Sequence, residues 1–169
     1  RVDRDGFAFF DEPRVSLDGL LLSLNVLEHA LLRGDVGHSS PSVSSLDRQT
    51  AAVVASLHED LWDGEPVDPR AHFLLNCASR SCPSLQPRAL RGVDFDAVAD
   101  GATSAFLSDA ERGAGPEGIS LLFEWFAGDF EGAGFSEPSE FIVGYRDLAD
   151  VDTSRFLPYD WSLNRLERP

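Results

Sequence analysis

The sequence predicts an α+β or mixed α/β fold in a single domain spanning residues 1–169. Three observations lead there. A length of 169 residues suits one domain, and a hydrophobic fraction of 43% is ample for one core. Segments of helical and of extended character occur together along the chain. The connections between them are short, and no segment repeats another.

Residues 7–22 read as extended: FAFF, a DEP turn, then RVSLDGLLL, with Asp18-Gly19 as a hairpin turn. SLNVLEHALLRGD predicts a helix. Ser23 is placed to cap its start, Arg33 lies in the last turn, and Gly34 fits the position just past the end. Leu24, Leu27 and Leu31 make an apolar stripe, and Asn25, His29 and Arg33 form a second row at i, i+4, i+8. A Ser/Gly/Pro loop covers 34–45. Residues 46–62 predict an amphipathic helix carrying Leu46, Val53, Val54, Leu57 and Leu61, which stops at Asp63-Gly64. The turn EPVDPR leads into AHFLLNC, a short apolar run read as a buried strand ending at Cys77. After ASRS, Cys82-Pro83 opens a helical stretch with proline at its favoured first position. Residues 95–111 and 119–130 predict two more helices, the second dense in aromatics. SEFIVGYRDL fits strand or helix, and RFLPYDWSLNRLE closes the chain.

Charge narrows the function classes. Fourteen basic residues face 29 acidic ones, a net of −15. All the basic residues are arginine, and methionine is absent. Such a surface repels phosphate backbones and anionic lipid, which argues against nucleic-acid or membrane-surface partners. The net charge exceeds the ~2–8 usual for a small domain, so the composition reads as adaptation to high salt. An acidic protein from a GC-rich genome would show the same preference for arginine. No apolar run approaches the ~18 residues of a membrane span. The opening RVDRDGF lacks the apolar stretch of a signal peptide. The chain begins without methionine, so a processed or truncated piece is expected. It would be secreted or periplasmic if a targeting segment has been removed, and otherwise cytoplasmic.

The chemistry concentrates in NCASRSCPSL, which holds both cysteines, Cys77 and Cys82. They could be a nucleophile and its neighbour, a redox pair, a metal half-site or a structural bridge. The C-x4-C spacing lacks a second ligand pair, so no metal is expected. The C-x-x-C redox motif is absent, and a disulfide is sterically open across five residues. A helix start lowers a thiol pKa, which makes Cys82 the first choice as nucleophile and Cys77 the alternative. A cysteine nucleophile needs a base, and usually a group to orient it. His38, in a Ser-rich loop, and His58, beside Glu59 and Asp60, read as ordinary surface residues. His29 and His72 lie in apolar surroundings and are the serious bases, although each could be a satisfied core histidine. Asn25 could hold the His29 ring from i−4. On a regular strand His72 and Cys77 would leave opposite faces. There is no phosphate loop, no G-x-S-x-G and no H-E-x-x-H, and no cofactor is implied.

Four segments carry a resemblance: LSLNVLEHALLRG (22–34), DPRAHFLLNCASRSCPSL (68–85), ISLLFEWFAGDF (119–130) and FLPYDWSLN (156–164). Their content and order resemble the DUF547 domain, found in bacteria, including halophiles, and in plants. The second segment is the most specific. The family is similar in fold to papain-like cysteine peptidases and transglutaminases. The resemblance therefore implies a papain-like α+β fold and a Cys/His site for hydrolysis or acyl transfer, acting on a peptide or γ-glutamyl-type amide. Its motif residues fall on Glu28, His29, Arg70, His72, Cys77, Cys82, Asp160, Trp161 and Asn164. The mechanism expected has His29 as base and as acid for the leaving amine. Glu28, Asn25 or Asp160 would orient it, and backbone amides at 82–84 would supply part of an oxyanion hole. Plant relatives join this domain to coiled coils, which would suit a non-catalytic binding or scaffold module instead. Relatives usually carry an Asn/Tyr-rich helical segment ahead of the matching region. The stretch 34–67, with one expected helix, reads as an insertion.

Overall fold

The computed structural model describes residues 2–17 and 19–164. Contacts divide the chain into two units, Asp3–Val67 and Asp68–Pro169, the latter with Arg1–Val2. Each unit combines helices with a two-stranded antiparallel sheet, so the architecture is mixed helix and sheet, compatible with α+β.

In Asp3–Val67 a 3-10 turn (Arg4–Phe7) and helix α1 (Ala8–Asp11) precede a hairpin of β1 (Pro13–Leu17) and β2 (Leu20–Ser23). The FAFF segment is thus helical, not extended. Phe7 meets Phe10 at 6.4 Å, an i, i+3 contact that a helix favours. The hairpin pairs Val15 with Leu22 and Leu17 with Leu20. Gly19 adopts φ 82 in the turn; Asp18, its expected companion, lies outside the described residues.

A π-helix (Val26–Leu32) follows. Ser23 Oγ accepts from Val26 N at 3.1 Å, the capping bond expected of a serine three residues upstream. At the far end Arg33 N donates to Glu28 O and Asp35 N to His29 O. This wider turn rotates the stripe read from the sequence, and Val26 and Ala30 become the fully buried positions. Helices α2 (Pro41–Ser44) and α3 (Arg48–Trp62) complete the unit. Asp47 caps α3 by accepting from Gln49 N and Thr50 N, and Asp63 ends it at φ 54. Val54 is buried, whereas Val53 and Leu61 face solvent. Leu22, Val26, Ala30, Val43 and Val54 form this core.

In the second unit a 3-10 helix (Pro69–Phe73) stands where the sequence predicts a strand. Asp68 accepts from Arg70 N at 2.9 Å, and Pro69 takes the first helical position. That start signal decides a short apolar run that fits buried strand and buried helix equally. The helix expected after Cys82 is absent; residues 83–91 are irregular. Pro87 would remove an amide donor and clash with the preceding turn. The next helix is α4 (Phe95–Leu107), entered from a 3-10 turn (Gly92–Asp94).

Strands β3 (Ala114–Gly115) and β4 (Gly118–Ile119) pair tightly. The helix expected over 119–130 is split at Phe126 into α5 (Leu122–Trp125) and α6 (Ala127–Gly132). The ambiguous SEFIVGYRDL segment opens inside α7 (Pro138–Ile142), which starts one residue before it. Phe73, Phe106, Phe123, Phe130, Phe141 and Ile142 anchor this core, with Phe73 stacked on Phe141 at 5.7 Å.

Candidate functional site

Both thiols lie in the loop that leaves the Pro69–Phe73 helix. Asn76 clasps this loop. Its Oδ1 accepts from Ala78 N at 2.9 Å, and its Nδ2 donates to Pro83 O at 2.6 Å. Ala78 sits at φ 65, a left-handed conformation that costs a residue with a Cβ. The C-terminal segment holds the loop from the other side. Arg80 N donates to Ser162 O and Asn164 N to Ala78 O, both at 2.9 Å. Asp160 N donates to Ser81 Oγ at 2.8 Å.

The clasped loop brings the two sulfurs together. Cys77 N donates to Cys82 Sγ at 2.8 Å. Cys77 Sγ lies 3.1 Å from Ser79 Oγ and 3.5 Å from Tyr159 OH, and Ser79 Oγ is 3.2 Å from Tyr159 OH. Both cysteines are free; Cys82 is buried and Cys77 half-buried. A hydrogen bond from the Cys82 thiol is the largest influence on Cys77. With the Ser79 and Tyr159 hydroxyls it outweighs burial and holds Cys77 down at about 5. Cys82 shifts the opposite way, through its bond to Cys77, its burial and the Cys77 charge. Burial and the neighbouring sulfurs likewise raise Tyr159. Cys77 is therefore the thiolate, and Cys82 and Tyr159 keep their protons. Without a helix after Cys82, the helix-start reason for preferring that residue is lost.

Trp125 and Trp161 pack against the Tyr159 ring. Their rings lie 4.7 Å and 4.4 Å from that of Tyr159, and they stack on each other at 5.5 Å.

The remaining motif residues have other partners. His72 Nε2 meets Asp129 Oδ2 at 2.9 Å, and its fully buried ring stacks on Phe126 at 4.0 Å. Because His72 is on a 3-10 helix, the opposite-face argument against pairing it with Cys77 no longer applies. Arg70 binds Asp68 and reaches Asp96 and Asp100 on α4 at 2.7 and 2.9 Å. In the Asp3–Val67 unit, Arg33 Nη1 donates to His29 Nδ1 at 2.9 Å, and His29 stacks on His38 at 3.6 Å. Asn25 donates to Asp11 Oδ1 at 3.0 Å, and Asp11 in turn feels the charge of His29. Glu28 lies on the π-helix beside His29. His58, expected on an open face, instead bonds Leu31 O at 2.9 Å. Among the described residues no group of three or more His, Cys, Asp or Glu is arranged to hold a metal ion. No helix among them is long and apolar enough to cross a membrane.

Sequence reasoning missed Ser79, Tyr159, Asn76 and Asp129. The first three sit inside or beside the quoted motifs CASRSC and PYDW, so the signal was local, but their roles depend on contacts across about 80 residues. It also missed a cavity of about 590 Å³ between residues 84–94 and α4. Val98 and Phe106 form apolar walls, and Ser84, Arg88, Arg91 and Arg112 line it. Arg112 also donates to Cys82 O at 3.3 Å, which ties the cavity wall to the cysteine loop, although neither thiol lines the cavity.

No curated protein and no solved structure matches the chain. The family described as "Protein of unknown function, DUF547" matches residues 3–107. That span covers more than half of the chain and takes in the hairpin, the His29 helix and both cysteines; the chain belongs to the DUF547 family.

Proposed function

We propose that this protein is a thiol enzyme of papain-like type, a cysteine hydrolase or acyltransferase with Cys77 as its nucleophile. The single observation behind this reading is the set of donors around the half-buried Cys77 sulfur: Cys82, Ser79 and Tyr159. A sulfur already ionised at neutral pH needs no base in contact with it to begin the reaction. The thiolate attacks the substrate carbonyl carbon, and the carbonyl electron pair moves onto oxygen. As the tetrahedral intermediate collapses, the C–N bond breaks and the leaving nitrogen takes a proton from the Tyr159 hydroxyl, 3.5 Å from the sulfur. Water or an amine then attacks the thioester carbonyl and gives a proton back to the Tyr159 oxygen, and the C–S bond breaks to free the Cys77 thiolate.

The arginine-lined cavity supports an anionic substrate. Arg88 and Arg91 have no ion-pair partner among the described residues, in a chain where carboxylates outnumber arginines 29 to 14. Arg112 is paired with Asp109 at 2.7 Å and Asp94 lines the same cavity, so Arg88 and Arg91 leave its lining net positive. A γ-glutamyl-type amide, which carries a free carboxylate, suits it. Replacing Arg88 and Arg91 together by alanine is expected to raise KM for such a substrate about tenfold with little change in kcat, as for groups that bind ground and transition states alike.

The test of the nucleophile is the alkylation rate of each cysteine against pH. Trypsin cuts at Arg80 and so separates the two thiols for mass mapping. Cys77 should react with a midpoint near 5, and Cys82 only in alkali. Silence of both thiols until reductant is added would replace the enzyme by a non-catalytic binding module.

A further inference from the structure

We propose that Cys77 and Cys82 also form a two-cysteine redox couple, in which a hydroperoxide oxidises Cys77 and Cys82 resolves it to an intramolecular disulfide. This rests on Cys77 being the nucleophile, as argued above.

The geometry supplies the reach. Cys82 Sγ is 2.8 Å from Cys77 N, and that nitrogen is about 2.5 Å from its own Cβ. Cys82 Sγ is therefore no more than about 5.3 Å from the Cys77 Cβ, and the two thiols are within hydrogen-bond reach of each other, so rotation about side-chain bonds can join the sulfurs. The Asn76–Pro83 bond closes the loop around both cysteines, so the backbone need not open. Exposure sets the order of events. Cys82 is 6% exposed, whereas Cys77 is half-buried and meets a solvent-borne oxidant first.

The steps balance. The Cys77 thiolate attacks one oxygen of ROOH, the O–O bond breaks, and RO⁻ takes a proton from water as ROH. Sulfur loses two electrons to the peroxide and becomes a sulfenic acid. The Cys82 sulfur then attacks the sulfenic sulfur. The S–O bond breaks, hydroxide leaves with the Cys82 proton as water, and the S–S bond forms. An external dithiol restores both thiols and is itself oxidised to a disulfide. The second step prepares itself. The bond to Cys77, burial and the Cys77 charge together keep Cys82 protonated; the bond and the charge vanish once Cys77 is a neutral sulfenic acid, and only burial remains.

The experiment treats the reduced full chain with stoichiometric hydrogen peroxide and maps tryptic peptides. A parallel sample is alkylated at about pH 6, below an ordinary thiol pKa. The expected product joins residues 71–80 to residues 81–88 and is two hydrogens lighter than the pair of thiol peptides. In Cys82→Ser, and again in Cys82→Ala, Cys77 should instead be trapped by dimedone as the sulfenic acid and over-oxidise about tenfold faster. Fast alkylation of Cys77 without any joined peptide, its sulfur passing directly to sulfinic acid while Cys82 stays free, would overturn the couple and leave the nucleophile standing. Slow alkylation together with no oxidation would overturn both.

Discussion

At the residue scale, the proposed function rests on one proton distribution. Two thiols and a phenol share a site too small for more than one negative charge, and that charge settles on the sulfur with the most donors, Cys77. Tyr159 is the donor contributed from farthest along the chain. Tyr159→Phe should raise the apparent pKa of Cys77 alkylation by about one unit, the value of one lost hydrogen bond to the charged form. It should also lower kcat, because the leaving nitrogen loses its proton source. An unshifted alkylation midpoint would remove Tyr159 from the site. The sequence offered Cys77 and Cys82 as alternatives, and local reasoning favoured Cys82. A thiol pKa depends on what surrounds it, and here the surroundings come from residue 159.

At the element scale, helix ends were legible because their signals are local. Ser23 and the Asp63-Gly64 stop both occupy their expected positions. Gly34 does too, at φ 70, and a Cβ there would come within 2.6 Å of His58 Nε2. The His58 ring cannot readily retreat, since its Nδ1 is bonded to Leu31 O. Gly34→Ala should therefore cost about 1–3 kcal/mol by strain and displacement of that ring, read as a lower denaturation midpoint. A midpoint equal to wild type would mean this end of the π-helix is loosely held. Element type in short runs was less legible. AHFLLNC has the apolar content of a strand, but Asp68 and Pro69 start a helix there. Phe126 divides a continuous aromatic run into two helices.

At the scale of the whole molecule, a net charge of −15 makes self-repulsion a standing cost. Several carboxylates are neutralised locally, as where Arg70 meets Asp68, Asp96 and Asp100, yet acids still outnumber arginines about two to one. Adaptation to high salt therefore predicts a higher Tm in about 2 M salt than in about 0.1 M, because screening relieves the excess charge. A Tm that fails to rise would exclude that reading. The two units divide the motif residues between them: Asn25, Glu28 and His29 in one, both thiols, Tyr159 and the His72–Asp129 pair in the other.

The sequence by itself determined the acidic character, the family, the helix caps and stops, and the segment where the chemistry gathers. Those follow from composition or from interactions spanning a few residues, which a linear reading can see. Only the tertiary structure decided which sulfur carries the charge, that His72 pairs with Asp129, and that Ser79 meets Tyr159 80 residues away. Hydrogen bonds and desolvation act through space, and a fold brings together groups whose separation along the chain says nothing of their distance.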